Sequence, residues 1–240
     1  MSDSVLTGGF FAIMIVLMLG IVIAAAIYAR RQSQQRLEDM SGLAHRLGWR
    51  FNPAKDDQHD DEYAHFDIFR RGHSQAAYNT MTGELTISGR VFQAKMGDFT
   101  YKITSSNGKT TTTRTYHFSY LILHVPFALM PDLLIRREGF FDKIAGMMGF
   151  DDIDFESAEF SKKFCVKSPD KRFAYDVIHP RMMEFLLGGS PAAVDIEQGR
   201  CCLSDGRAKW TIPEFEARLG WITKFFELWP EHLMARLDGR

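Results

Sequence analysis

Two short acidic segments contain most of the side chains whose types and spacing could support chemistry. The first surrounds His59 with five carboxylates: Asp56, Asp57, Asp60, Asp61 and Glu62. The second contains Asp151, Asp152, Asp154 and Glu156. Carboxylate oxygens suit calcium or magnesium, but the first segment lacks the ligand spacing and the turn glycine of an EF-hand. We therefore expect a solvated acidic loop at residues 56–62, and cation binding is the alternative there and at residues 151–156.

Catalysis at these carboxylates requires more than closeness in sequence. A general acid and a general base must face one pocket in different environments. The candidate catalytic residues are four that only a fold could bring together: Asp152, Asp154, His117 and His179. His117 and His124 fall on opposite faces of one predicted strand, so they cannot form a simple metal pair.

The cysteines and the absent motifs argue against the enzyme classes that a short motif identifies. Cys165, Cys201 and Cys202 are odd in number and have none of the spacings of a disulfide framework or a zinc site. We expect them to be buried as small hydrophobic side chains. The sequence has no GxSxG, P-loop, HExxH or paired CxxC motif, and no GxGxxG motif in a βαβ context. No cofactor and no metal are therefore expected.

The charge of the chain is balanced. The formal net charge of the 240 residues is −1, from 29 basic and 30 acidic residues. Asp3 is the one charged side chain before residue 30, so the 29 acidic residues that follow it (30 − 1) balance the 29 basic residues. A neutral chain has no long-range attraction to nucleic acid or to acidic substrates. We expect no nucleic-acid partner.

An uncharged run from Ser4 to Ala29 has the length of a membrane span, and its centre is Phe10–Ala29. Twenty residues at the helical rise of ~1.5 Å cover the ~30 Å hydrocarbon core of a bilayer. A helix also satisfies its own backbone hydrogen bonds there. The sequence predicts a single transmembrane anchor that contacts the lipid bilayer through Phe10–Ala29.

The residues that flank the anchor predict its orientation. Asp3 precedes the anchor, whereas Arg30, Arg31 and Arg36 follow it. By the positive-inside rule the N-terminus lies outside and the C-terminal domain lies in the cytoplasm, at the inner (plasma) membrane. A cleaved signal peptide is the alternative, since Ala24–Ala26 offers small residues near a cleavage site. The absence of a basic N-terminal region and the length of the run favour the anchor.

Residues 30–50 are predicted to continue as a juxtamembrane helix. Four apolar residues recur there at helical spacing: Leu37, Met40, Ala44 and Leu47. Gly48 is expected to end the helix. The apolar stripe is either the first core helix of the domain or a self-association seam beside the membrane. Gly20 and Ala24 have the spacing of small residues seen in some dimerising transmembrane helices.

Residues 63–125 alternate with period two, which predicts four to six antiparallel strands. The candidate joints are pairs that contain glycine: Arg71-Gly72, Thr82-Gly83, Ser88-Gly89 and Met96-Gly97. Asn107-Gly108 is the strongest hairpin pattern in the chain. The strand that follows, residues 116–125, is apolar on both faces and is expected to be central. The Thr110–Thr113 run beside Arg114 is interpreted as strand, because no helix N-terminus follows to bind phosphate.

The rest of the chain predicts helices with a few further strands. A helical period covers residues 126–150, with Pro131 in the first turn and Gly149 at the end. Strand-like residues follow at Phe160, Phe164 and Val166. Pro180 begins a short helix that ends at Gly188 or Gly189. A β-hairpin with its turn at Gln198-Gly199 is expected next.

The last helix has the clearest start in the sequence. Thr211 and Glu214 form a capping box, and Pro213 lies in the first turn. Pro230 is expected to kink or end this helix. Its apolar face is predicted to pack in the core, with a surface for the membrane or a partner as the alternative.

Together these patterns predict an α+β fold in which an N-terminal transmembrane helix precedes a mainly antiparallel sheet packed with several helices. The predicted divisions are an anchor at residues 1–29, a juxtamembrane helix at residues 30–50 and a cytoplasmic domain at residues 51–240. A sub-boundary near residues 150–170 is the alternative to one undivided domain.

Three sets of residues between positions 47 and 203 occur together in a known pattern. The first set is Asn79, Gly83, Gly89 and Val91-Phe92. The second set is Pro126, which Phe127 follows directly, with Leu129 and Pro131. The third set is Gly149, Asp152, Ile153, Asp154 and Phe155. With these residues the chain resembles a group of uncharacterised bacterial single-pass membrane-anchored proteins, and the resemblance implies the architecture above and no activity.

The function favoured by these patterns is that of a binding or interaction module at the membrane surface. Its partner is expected to be a protein, a lipid headgroup or a second copy of the chain. A membrane-tethered enzyme with a site assembled from dispersed residues is one alternative. A structural subunit of a membrane complex is another.

Overall fold

The computed structural model describes residues 2–138, 151–189, 191 and 193–239, with side chains from residue 14 onward. The chain divides into two compact units, Met1–Gly42 and Leu43–Arg240. Its elements are helices and antiparallel strands, which confirms the predicted α+β class.

The first unit is helical. Helix α1 covers Ser2–Leu47 and passes without a break through the apolar run. The large apolar side chains from Met14 to Tyr28 are exposed, and Ile21 and Tyr28 retain 69% and 70% of their accessible surface. The part of α1 from residue 14 is long and apolar enough to cross a membrane. Gly48, with φ of 69°, follows the end of α1 as predicted.

The second unit is organised around one eight-stranded sheet in which all the paired neighbours are antiparallel. Its strands are β1 (Arg50–Asn52), β2 (His73–Ile87), β3 (Arg90–Ser106), β4 (Thr111–His124), β5 (Leu133–Arg137), β6 (Phe164–Lys167), β7 (Ala193–Glu197) and β8 (Arg200–Leu203). Their order across the sheet is β1-β2-β3-β4-β8-β7-β5-β6. The sheet contains strands from both sides of residues 150–170.

The second unit also contains helices, most of them short. They are α2 (His59–Glu62), a 3-10 turn (Asp67–Arg70), α3 (Ala158–Lys163), α4 (Lys171–Val177), α5 (Pro180–Gly188), α6 (Ile212–Glu227) and α7 (Glu231–Leu237). Residues from the segment after α2 and from the 3-10 turn pack on β2, β3, β4 and β8 in one largely aromatic cluster: Tyr63, Phe66, Phe69, Ala77, Phe99, Tyr101, Phe118, Tyr120, Ile122 and Cys202. The three cysteines are buried, as predicted.

The region predicted to hold four to six strands forms three long ones, β2, β3 and β4. Turns occur at the predicted Ser88-Gly89 and Asn107-Gly108 positions. Two other predicted joints, Thr82-Gly83 and Met96-Gly97, are not turns, because Gly83 lies inside β2 and Gly97 lies inside β3. The ring of Trp49 covers Gly83, and the backbone of the β2 bulge at Asn79 lies against Gly97. These glycines provide space for neighbours within a continuous strand.

The predicted helix at residues 126–150 is wrong in its described part. Leu133–Arg137 forms β5, which pairs with both β6 and β7. Leu133, Leu134 and Ile135 are all buried, because an inner strand is covered on both faces. Residues 139–150, including Gly149, lie outside the described residues. Phe160 is also helical, in α3, and only Phe164 and Val166 belong to a strand.

The C-terminal predictions are confirmed. Helix α5 begins at Pro180, and the β7–β8 hairpin turns at Gln198-Gly199. At the start of α6 the backbone N–H of Thr211 donates to Glu214 Oε2 over 2.7 Å, which completes the capping box. Helix α6 ends before Pro230, and its apolar face is buried at Phe215, Leu219, Ile222, Phe225 and Phe226.

Candidate functional site

The hairpin of β3 and β4 extends beyond the packed part of the sheet. Every residue from Lys102 to His117 is exposed, whereas Tyr101 and Phe118 on either side of this segment are buried. The strands stay in register from Lys102 opposite Thr115 to Ser106 opposite Thr111. We call Lys102–His117 the β-arm.

Local contacts keep the β-arm ordered without a core. Tyr101 and Tyr116 stack at its base, with ring centroids 5.2 Å apart. The hydroxyls of Thr104 and Thr113 are 2.9 Å apart across the strands. At the tip, Asn107 Oδ1 accepts hydrogen bonds from two backbone N–H groups of the turn. A two-stranded ribbon is marginally stable alone in water, so these cross-strand contacts matter for its shape.

The β-arm is positively charged. It contains Lys102, Lys109 and Arg114, and no acidic residue occurs between Asp98 and Asp132. Among the described residues, none forms an ion pair with these three cations. The β-arm therefore presents a local positive surface on a chain whose overall charge is balanced.

Both long edges of the β-arm are open. Strand β2 ends its pairing where His73 lies opposite Lys102, so in the described part of the chain Ile103–Ser106 have no paired strand on that side, although the His73 side chain contacts Thr104 Oγ1 there. Strand β8 pairs with β4 only at Leu121–His124, and Thr111–His117 have no strand beside them within the described part of the chain. Open edges present unpaired N–H and C=O groups that can bind another strand.

A polar cleft of about 570 Å³ lies where β2 and β3 approach α2. Its lining includes Trp49, Glu62, Tyr63, Lys95 and His124. Lys95 Nζ is 2.9 Å from Glu62 Oε2 and lies over the ring of Tyr63, 4.9 Å from its centroid. His124 Nε2 is 3.4 Å from Tyr63 Oη. The cleft thus combines a partly buried ion pair with two aromatic rings.

Burial and nearby cations shift the pKa values of three groups around this cleft. Burial of the Glu62 carboxyl raises its pKa, but the hydrogen bond and the charge of Lys95 outweigh burial and leave the pKa lowered. Burial, followed by the charge of Lys95, lowers the pKa of His59 to about 2, so the imidazole is neutral. Burial, followed by the charge of Arg200, also lowers the pKa of His124.

His59 is the exception to the predicted solvated loop, because the acidic residues around it are exposed or partly exposed. His59 begins α2 and is completely buried, with ring centroids of Tyr63, Phe69, Phe99 and Tyr120 within 5.6 Å. The burial of His59 could not be predicted from the acidic composition of the segment, because acidic residues usually indicate a solvent-exposed loop. The sequence does contain an indication of it, because apolar rings recur every third residue immediately afterwards, at positions 63, 66 and 69.

A largely covered carboxyl pair on β7 is a second feature that sequence reasoning missed. Asp195 and Glu197 lie two residues apart, so they share one face of the strand. Burial and the charge of Glu197 raise the pKa of Asp195 well above its usual range. Burial and the charge of Asp132 raise the pKa of Glu197 to about 7. When acidic and apolar residues alternate along a strand, the acidic face is usually exposed to solvent. Only the fold shows that the acidic face of β7 is covered.

Two of the candidate catalytic residues lie near β6. Asp152 Oδ1 accepts a 2.8 Å hydrogen bond from the thiol of Cys165. Burial, with this hydrogen bond, raises the pKa of Cys165 to about 11, so the thiol is neutral. The backbone carbonyl of Asp154 accepts a hydrogen bond from Tyr175 Oη over 3.2 Å.

The two candidate histidines have other partners. His117, at the end of the β-arm, has Nδ1 at 3.1 Å from Tyr78 Oη. His179 occupies the N-cap position of α5, and its Nε2 donates to the backbone carbonyl of Leu228 over 2.9 Å. The four candidates thus bond to four different groups, and their joint role in catalysis stays a prediction.

Comparison with known proteins identifies a similar fold. No protein-family model matches the sequence, and no curated protein matches it significantly. Among solved structures, the chain is similar to the crystal structure of the mycobacterial trehalose monomycolate transport factor A, TtfA. The TM-score is 0.51 at 11% sequence identity, and the match covers 81% of this chain and 96% of that chain. At this identity the likeness shows the fold alone.

Proposed function

We propose that this protein is a membrane-anchored interaction module whose β-arm binds an acidic segment of a partner protein. The observation that supports this function best is the β-arm itself, an exposed and positively charged ribbon with both edges open. A strand of the partner pairs with one edge, and its carboxylates meet Lys102, Lys109 and Arg114.

The shape of the β-arm favours a protein over a lipid surface. Its tip, Ser105–Thr111, consists of small and polar residues with one lysine, so it has no apolar side chain to insert into a bilayer. Open backbone edges give hydrogen bonds in register to another strand, which lipid headgroups cannot match. A self-association through the same edge is an outcome that the test below distinguishes.

The anchor determines where this binding takes place. A single span through Phe10–Ala29, followed by Arg30, Arg31 and Arg36, supports a location of the β-arm on the cytoplasmic side of the plasma membrane. The resemblance to bacterial membrane-anchored proteins supports the same arrangement.

A pull-down of the full-length protein from its native membrane in mild detergent tests the proposal. The arm variant carries K102E, K109E and R114E. The control variant carries K162E, K171E and R172E, which reverse three exposed cations on α3 and α4. We expect a stoichiometric partner with the wild type and the control, and its loss from the arm variant.

Two results contradict the proposal. One is a partner that the arm variant retains at the wild-type level. The other is loss of the partner from both the arm variant and the control variant. That result shows that binding depends on the net charge of the protein and not on the β-arm. If the retained species is a second copy of this chain, the interaction is self-association and the hetero-complex is excluded.

A further inference from the structure

Asp56, His59 and Glu62 form a compact group of metal-ligand atoms beside the polar cleft. They occur at every third residue through α2 and the turn before it. One ligand atom of each lies within 4.8 Å of the other two. A tetrahedral zinc ion with bonds of ~2.0–2.1 Å holds its donors about 3.4 Å apart, so a small contraction brings all three to one ion.

His59 distinguishes this group from an ordinary acidic cluster. Its side chain is completely buried, and neither Nδ1 nor Nε2 has a hydrogen-bond partner among the residues that the structure describes. One of these nitrogens is the atom that approaches the carboxylates of Asp56 and Glu62. Buried polar atoms without partners are rare because desolvation makes them unfavourable. A metal ion at this position satisfies the nitrogen.

Aromatic rings enclose the imidazole of His59 on its other sides. The ring centroids of Tyr63, Phe69, Phe99 and Tyr120 lie 4.7, 4.7, 5.6 and 4.6 Å away. Such packing fixes the orientation of the ring and limits the access of water. An imidazole held in this way is an oriented ligand for a metal on its open side.

Lys95 occupies the position of a cation between the two carboxylates. Its Nζ is 3.4 Å from Asp56 Oδ2 and 2.9 Å from Glu62 Oε2. The ammonium group neutralises the carboxylates and donates to both of them, but the nitrogens of His59 have no hydrogen-bond partner in the described part of the chain. A divalent ion satisfies all three side chains, so Lys95 and the metal compete for this position.

We propose that Asp56, His59 and Glu62 bind a divalent transition-metal ion, with Zn²⁺ as the best match, and that Lys95 takes the place of this ion in the metal-free protein. One imidazole nitrogen with two carboxylate oxygens suits zinc and neighbouring transition metals better than calcium or magnesium, which prefer ligands that are all oxygen. The metal ties the segment of α2 to the sheet, since Asp56 pairs with Ala77 of β2.

The test is zinc binding by the full-length protein in detergent, purified without a histidine tag. Competition with a chromophoric chelator measures the affinity, and X-ray absorption at the zinc edge identifies the ligands. We expect one zinc ion per chain with nitrogen and oxygen ligands. E62Q, at an exposed carboxylate, weakens binding more than about a hundredfold. K95M removes the competing cation and strengthens binding by about tenfold.

Two controls make the result specific. D61N changes an exposed carboxylate next to Glu62 that is not part of the group, and it is expected to leave the affinity unchanged. D152N changes the other compact group in the described part of the chain, Glu138 with Asp152 and Cys165. Zinc also raises the melting temperature of the wild type but not of E62Q, because only a ligand bound to the folded state stabilises it.

Three results overturn the proposal. Sulfur in the zinc coordination shell, or loss of the ion from D152N, assigns the metal to the group around Cys165. An affinity that K95M leaves unchanged shows that Lys95 does not hold the cation position. A wild-type protein that binds no zinc below millimolar concentration has no site.

Discussion

Ser119 Oγ donates a 2.7 Å hydrogen bond to Asp98 Oδ1, and both side chains are completely buried. Asp98 Oδ2 accepts a second bond from Asn79 Nδ2 over 3.2 Å. The same Ser119 Oγ accepts the backbone N–H of Trp210 over 2.9 Å. This network joins the β2 bulge, the two central strands and the segment that leads into α6, at the base of the β-arm.

Removal of the Ser119 hydroxyl is expected to destabilise the domain. S119A deletes the atom that donates to Asp98 and accepts from Trp210, and the loss of buried hydrogen bonds of this kind costs about 2 kcal/mol. Chemical unfolding followed by tryptophan fluorescence measures the free energy of unfolding. S105A, on the exposed β-arm, is the control and is expected to change it by less than about 0.5 kcal/mol. Equal effects of the two substitutions contradict the role of the network.

A side chain at position 83 is expected to destabilise the domain. The ring of Trp49 occupies the space where a Cβ would lie, and its Nε1 donates to the backbone carbonyl of Glu84 over 3.2 Å. G83A therefore displaces Trp49 and costs about 1–3 kcal/mol. In the matched variant G220A the methyl group meets open space on α6, which is predicted to raise stability by about 0.5–1 kcal/mol. Thermal unfolding of both variants measures these opposite signs.

The carboxyl pair on β7 is expected to make stability depend on pH. The pKa of Glu197 is raised from its ordinary 4.5 to about 7 in the folded state, so the folded protein holds the proton more tightly than the unfolded chain. The resulting stabilisation is complete below pH 4.5 and is lost as the pH rises through 7. The wild-type melting temperature should therefore fall between pH 5 and pH 8.

E197Q tests this pH dependence because it removes one titrating group and keeps the shape of the side chain. We expect the variant to melt about 3 °C above the wild type at pH 8 and to lose this difference at pH 5. E184Q, at an exposed position of α5, provides the control and should follow the wild-type curve. A gain from E197Q that is the same at both pH values shows that Glu197 does not titrate in this range.

The orientation of the anchor can be tested with trypsin. Lys102, Lys109 and Arg114 are exposed on the β-arm and offer sites of cleavage. With the domain in the cytoplasm, trypsin cuts the β-arm in inside-out membrane vesicles and leaves it intact in spheroplasts. The reverse pattern contradicts the positive-inside assignment, and release of the whole chain from the membrane without protease contradicts the anchor.

Features set by local sequence were predicted correctly. The capping box at Thr211, the turn at Asn107-Gly108 and the helix through the apolar run depend on neighbouring residues and need no tertiary information. Features that depend on the tertiary structure were not predicted correctly. Leu133–Arg137 has the apolar content of either a buried helix or a buried strand, and only its pairing with β6 and β7 decides for the strand.

The candidate sites show the same limit. The pattern for β4 predicts a central strand, which holds for Leu121–His124, but the first half of this strand leaves the packed sheet as the β-arm. The burial of His59 and of Asp195 depends on residues that are distant in sequence. From sequence alone, polar residues in a short segment therefore predict a solvated surface. That prediction fails where distant parts of the fold cover them.

Site-specific photo-crosslinking in native membranes tests the central claim most directly. A photoreactive residue replaces Ile103 on the β-arm, which is 43% exposed, or Leu129, which is 62% exposed and outside the β-arm. The proposed function predicts one protein adduct of defined mass from position 103, none from position 129, and loss of the adduct when K102E, K109E and R114E are combined with it. A lipid adduct alone, or the same protein adduct from both positions, contradicts the β-arm as a protein-binding site.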